Sequence, residues 1–177
     1  MLRKASWVVA FIIIPFLLLG QDTNFRNASW GMTTSEVKAS EDQQLLQEKD
    51  GALYYTDTLA DMQMYVVYRF GAEGKQLQEG QYILQEELPK PAQYVQAYKD
   101  VKSALADEYG EARIDTTLFQ SKKYMNKPDQ YPAALQEGQI RFQSVWDTED
   151  TQIVAQLWNG QQIRLAVQYV SKAHKGS

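Results

Sequence analysis

Met62-Gln63-Met64-Tyr65-Val66-Val67-Tyr68-Arg69-Phe70 is the stretch on which the fold turns. Met62, Met64, Val66, Tyr68 and Phe70 share one side, and Gln63, Tyr65, Val67 and Arg69 fall between them. A period of two marks a strand whose side chains alternate between a core and a second surface. Upstream, Ala52-Leu53-Tyr54-Tyr55-Thr56 is rich in strand-forming residues. Downstream, Gly71-Ala72-Glu73-Gly74-Lys75 reads as a turn, and Gln76 to Glu87 as the returning strand. Three such strands in succession make an antiparallel meander.

The C-terminal part repeats the pattern. Ile140, Phe142 and Trp146 alternate with Arg141, Gln143 and Val145, and Thr148-Glu149-Asp150 turns the chain into a strand from Gln152 to Leu157. Asn159-Gly160 is the signature of a tight primed hairpin. Beyond it, Ile163, Leu165, Val167 and Tyr169 alternate with Arg164, Ala166 and Gln168. Between the two groups of strands lies the clearest helix. Tyr94, Tyr98, Val101, Leu105 and Tyr109 recur every three or four residues, Pro89 and Pro91 precede them, and Gly110 sits where a helix cap belongs. Glu111 to Gly138 reads as irregular, with one helical turn near Ala133 to Gln136. The expected class is α+β: an antiparallel sheet of about five to six strands in the order α-β-β-β-α-β-β-β. One face carries the helices and the other is wet.

The first helix has its own signal. Thr33 and Glu36 form a capping box, and Met32 and Val37 stand at the spacing of a hydrophobic staple, predicting a helix from Thr34 to about Asp42. The run Trp30-Gly31-Met32-Thr33-Thr34-Ser35-Glu36-Val37, with Phe25 and Arg26 before it and Tyr109-Gly110 closing the later helix, resembles small exported bacterial α+β domains. These are the outer-membrane assembly lipoprotein BamE, the secreted β-lactamase inhibitor protein, and further exported domains of that kind. The resemblance implies a helix-plus-sheet domain that binds other proteins. It transfers no functional residue, and the chain departs from these families in having neither a lipid-bearing cysteine, nor disulfides, nor a sequence repeat.

Residues 1–21 read as a secretory signal: Arg3 and Lys4, then the apolar Trp7 to Leu19. That run is shorter than the roughly 20 residues a membrane-spanning helix needs. Residues 22–171 are expected to form one α+β domain, and residues 172–177 a disordered tail. With no cysteine in the chain, disulfides, thiolate metal sites and a lipid anchor are all excluded. Without Arg3 and Lys4, 16 basic residues face 22 acidic ones, a net charge of −6. Such a balance disfavours nucleic acid as a partner. The expectation is an exported protein, periplasmic or extracellular, with no membrane insertion once the signal is removed.

Catalytic constellations are sparse. The single histidine, His174, sits in the tail, so a nucleophile–histidine pair or a zinc site lacks its main ingredient. No metal and no cofactor are expected. Asp57 with Asp61, Glu86 with Glu87, and Asp147, Glu149 and Asp150 are acidic groups that glycoside hydrolysis or calcium binding would use, although turns and strand ends favour acids for structural reasons. Aromatic and arginine side chains on the wet face are the better candidates. Tyr65, Arg69, Trp158 and Arg164 belong to the residue types enriched at binding hot spots. They point to a non-catalytic module that binds a protein or an envelope glycan through that face. A carboxylate-dependent hydrolase of envelope glycans and an N-terminally anchored assembly subunit are the alternatives.

Overall fold

The computed structural model describes residues 23–71 and 76–174. The signal segment lies outside the described residues, as do residues 72–75 of the turn and residues 175–177 of the tail. The elements run α1 (Thr34–Ser40), β1 (Gln47–Lys49), β2 (Ala52–Leu59), β3 (Met62–Phe70), β4 (Leu77–Leu84), α2 (Pro91–Tyr109), β5 (Ile114–Phe119), α3 (Tyr131–Gln136), β6 (Ile140–Asp147), β7 (Thr151–Asn159) and β8 (Ile163–Ser171). The strands form one antiparallel sheet ordered β1-β2-β3-β4-β8-β7-β6-β5. Two four-stranded meanders therefore meet at the β4–β8 seam, where Gly80 faces Tyr169 and Tyr82 faces Val167. Each meander follows a helix, α1 with β1–β4 and α2 with β5–β8, so the topology is duplicated although the sequence shows no repeat.

The α+β class and the one-sided helix layer are as expected, but the sheet has eight strands rather than five or six. The two additional strands are its edges. β1 is Gln-Glu-Lys, exposed throughout, with no apolar alternation to announce it. Its signal is the Asp50-Gly51 turn, where both residues have positive φ (52° and 72°), the geometry of a two-residue primed hairpin. β5 lies in the stretch expected to be irregular, because its apolar Ile114 and Leu118 are exposed instead of buried. The Asn159-Gly160 turn also differs. Asn159 pairs with Ile163 inside the ladder, leaving a three-residue loop, and neither Asn159 nor Gly160 has positive φ. Lys172–His174, expected as the start of a disordered tail, forms a 3₁₀ turn, with the Lys172 amide on the Asp150 carbonyl at 2.8 Å.

All three helices pack on the same side of the sheet. From α2, Tyr98 shares a 2.6 Å hydrogen bond with Ser144 of β6 and stacks near Phe142, while Tyr109 meets Tyr169 of β8. Burial pushes the Tyr98 phenol up to about 12; the nearby Asp115 carboxylate adds to the rise and the Ser144 hydrogen bond opposes it. α3 brings Tyr131 against Phe142 and Phe119. α1 is held by its capping box, with the Thr33 amide on Glu36 at 2.7 Å, and buries Val37. The core thus lies between this helix layer and Leu53, Tyr55, Val66, Tyr68, Ile153, Leu157, Leu165 and Val167 of the sheet.

The segment ahead of α1 closes the core over the seam. Phe25 and Ala28 form a bridge around Arg26 and Asn27, and the Phe25 ring lies 4.9–5.3 Å from the rings of Tyr68, Tyr82 and Tyr169. Gly80 makes the space: a Cβ there would run into the Phe25 ring. Trp30 reaches across to β7, its indole N–H on Thr151 Oγ1 at 2.8 Å.

Candidate binding face

The opposite face of the sheet is covered by no element among the described residues. It carries the second residue of every alternating pair, and the strand registers place those residues in rows. One row crosses Arg164 of β8, Trp158 of β7, Arg141 of β6 and Leu118 of β5, each directly opposite the next. Direct cross-strand neighbours stand about 5 Å apart, so the two guanidinium-bearing residues flank the indole. Trp158 is half-buried and both arginines are exposed. The edge of the indole lies along the β7–β8 turn, with Nε1 3.9 Å from the point where a Cβ on Gly160 would sit.

Polar capacity in this row is unused. Among the described residues, neither Arg141 nor Arg164 has an ion pair, and the Trp158 indole N–H has no acceptor. The other described arginines are engaged: Arg26 with Glu41 and Asp57, Arg69 with Glu79 and Arg113 with Asp147. The carboxylates of the open face, Glu79 and Asp147, stand at the far end of the strands, and both are paired. Between them and the Trp158 row lie Gln143, Gln156, Gln81 and Gln168, with Gln156 Nε2 donating to Gln143 Oε1 at 3.1 Å. The scattered glutamines thus solvate a broad, uncharged sheet surface.

All four residues singled out in the sequence project from this face, but not as one patch. Trp158 and Arg164 are direct cross-strand partners. Tyr65 pairs with Ile83, which pairs with Ala166, so it stands two strands away and one pleat along, about 12 Å from Arg164. Arg69 lies at the other end, about 22 Å from Arg164 by the same spacing, with its guanidinium 3.8 Å from Glu79. The residue missed is Arg141. Its signal was present, since it alternates with Ile140 and Phe142, but pairing with Trp158 is a matter of register, which the local pattern does not contain.

Of the acidic residues, Asp57, Asp147 and Asp150 are occupied otherwise. Burial raises the Asp57 pKa, but the Arg26 and Thr58 hydrogen bonds outweigh it and hold the carboxyl below the usual range. Asp147 is likewise depressed: its burial is overcome by Arg113, with help from Gln152 and Lys172. Asp150 accepts from Asn24 at 2.7 Å and from Thr148 and Thr151. A general acid must hold its proton near neutrality, and Asp57 and Asp147 are shifted the other way. No group of three or more His, Asp or Glu residues suited to a metal ion occurs among the described residues. A cleft opens beside α1, lined by Thr33, Lys38, Glu48 and Phe70, and the Lys38–Glu48 ion pair stands in it at 2.6 Å. No helix among the described residues is long and apolar enough to cross a membrane.

No protein-family model matches the chain, and no match was found among curated proteins. Among solved structures, the chain is similar to an extracellular protein containing a SCP domain from Bacillus anthracis str. Ames, known from a 1.5 Å crystal structure. The two are 14% identical, with a TM-score of 0.32, over 97% of this chain and 50% of the other. The chain spans half the length of that protein, and a likeness at this TM-score carries no conclusion about fold or function.

Proposed function

We propose that the protein is an exported, non-catalytic binding module whose open sheet face docks an acidic partner protein, with Trp158 between Arg141 and Arg164 as the contact centre. The observation that carries this reading is the cross-strand row itself: an amphipathic aromatic flanked by two arginines without ion pairs, on a face no helix covers. Trp and Arg are the residue types that dominate binding hot spots. A local positive field on a chain of negative net charge selects for acidic surfaces and raises encounter rates. The breadth of an eight-stranded face suits a protein surface better than a single glycan chain. The likeness of the Trp30–Val37 run to BamE and the β-lactamase inhibitor protein agrees with a binding role.

The test is affinity capture from envelope extract of the source organism, using wild type, a Trp158→Ala/Arg164→Gln variant and an Arg69→Gln control. A captured protein retained by wild type and the control should be bound at least about 30-fold more weakly by the double variant, with affinity falling as salt rises. Undiminished capture by the double variant would sink the sheet-face reading. Capture of a glycan instead of a protein would replace the partner class, and salt-independent binding would remove the acidic character of the partner.

A further inference from the structure

The two edges of the sheet are built differently. β1 ends it with three exposed residues including Glu48 and Lys49, the short, charged form that blocks strand addition. β5 ends it with Ile-Asp-Thr-Thr-Leu-Phe, six residues with no lysine, no proline and no register shift against β6. Ile114 and Leu118, at 38% and 48% exposure, both point from β5 onto the open face. Asp115, the one charged residue of the strand, is bound to Lys102 of α2 at 2.8 Å, so the edge carries no unbalanced charge.

The polarity of the edge follows from the ladder. Gln120 donates its amide to the Gln139 carbonyl at 2.8 Å. In an antiparallel pair the hydrogen-bonded positions alternate, so Ile114, Thr116 and Leu118 direct their backbone groups at β6. Asp115, Thr117 and Phe119 direct theirs outward. An incoming strand must therefore form its hydrogen-bonded pairs at the odd-numbered residues.

The geometry points to a second copy of this chain as that strand: two β5 strands pairing antiparallel about a twofold axis through Thr116. In this register Asp115 exchanges backbone hydrogen bonds with Thr117 of the other copy, and Thr116 faces its own counterpart across a non-hydrogen-bonded pair. Ile114 then lies opposite Leu118 of the other copy, and Leu118 opposite Ile114, so four exposed apolar side chains meet on the open face. Asp115 faces a threonine, and no two like charges are opposed. The self-complementarity is what an isologous contact requires. One strand pair buries less than a standard interface of about 800 Å² per partner, so the dimer is reversible and dilution dissociates it. It joins two open faces into one continuous sheet surface, whatever Trp158 binds.

The register makes the test specific, because the chain has no cysteine of its own. The protein is taken in the form an expressing host releases, and its start is read by intact mass. Sedimentation equilibrium across a concentration series should show a monomer–dimer equilibrium. The Ile114→Lys/Leu118→Lys variant, with circular dichroism unchanged, should be monomeric at every concentration. Facing residues of a non-hydrogen-bonded pair have Cα atoms about 4.5 Å apart, within disulfide reach. Thr116→Cys should therefore oxidise to a covalent dimer, whereas Thr58→Cys, exposed at the end of β2, should not. A wild type that stays monomeric throughout, or a dimer that survives the lysine pair and leaves Thr116→Cys uncrosslinked, would overturn the proposal. These readouts report oligomeric state alone, and the Trp158 and Arg164 variants that test the binding face leave β5 intact.

Discussion

Arg26 shows how a single residue holds the N-terminal segment on the sheet. It sits at the turn between Phe25 and Ala28 with φ of 55° and donates to both oxygens of Glu41, at 2.8 and 3.0 Å, and to Asp57. The Glu41 side chain is fully buried and also accepts from the Tyr68 hydroxyl. Burial opposes the Arg26 charge, but the Glu41 and Asp57 hydrogen bonds more than compensate, so its pKa is raised and it stays a cation. Removing one partner of a buried pair strands the other, a cost of about 3–5 kcal/mol. Arg26→Met should therefore lower unfolding free energy by about that much at neutral pH, read from urea midpoints. The pH dependence has a definite sign. Asp57 is depressed in the folded state, so its contribution is fully present above the unfolded carboxylate pKa, about 4, and is lost as pH falls through the lower folded value. Arg26→Met should flatten that acid limb. A variant within about 1 kcal/mol of wild type, with the same acid slope, would show that the network is not a clamp.

At the scale of elements, the seam between β4 and β8 depends on a glycine on one strand and a ring from outside the sheet. Phe25 occupies the space over Gly80, so a methyl group at that position must displace it. Overpacking of this kind costs about 1–3 kcal/mol. Gly80→Ala should be destabilising by that amount in the wild-type background and close to neutral in Phe25→Ala, where the ring is gone. Thermal or urea unfolding of the four members of the cycle measures the coupling, and equal effects in both backgrounds would separate Gly80 from Phe25. The helix elements were plainly legible: Thr33 and Glu36 announce α1, and the Tyr94–Tyr109 stripe and Gly110, with φ of 79°, bound α2. The edge strands were not, because edge residues have little to bury and so lose the alternation by which strands are recognised.

Over the whole molecule, two meanders share one core. The buried cluster runs without interruption from Leu53 and Tyr68 in the first to Trp146 and Leu157 in the second, under Phe25 and α2. Trp30 of the N-terminal segment bonds Thr151 in the second meander, and Trp146 donates to the Gly110 carbonyl at 2.9 Å. Neither half encloses its own core, so the protein should unfold in one cooperative step. Tryptophan fluorescence and far-ultraviolet circular dichroism should give coincident urea transitions. A biphasic curve would mean that the halves are separate folding units.

What the sequence by itself determined is the kind of structure: alternation and capping are local properties, and a period of two or of 3.6 residues dictates which side of each element is apolar. From that follow the α+β class, the positions of the first two helices, the six inner strands and the placement of Tyr65, Arg69, Trp158 and Arg164 on the side away from the helices. Only the tertiary structure decided which of those residues meet. Register and strand order depend on pairings between segments far apart in the chain, such as Gly80 with Tyr169. No local pattern encodes them. They divided the four residues into a close pair, Trp158 and Arg164, with Tyr65 and Arg69 apart from it. They also brought Arg141 beside Trp158 and left β5 as an open edge.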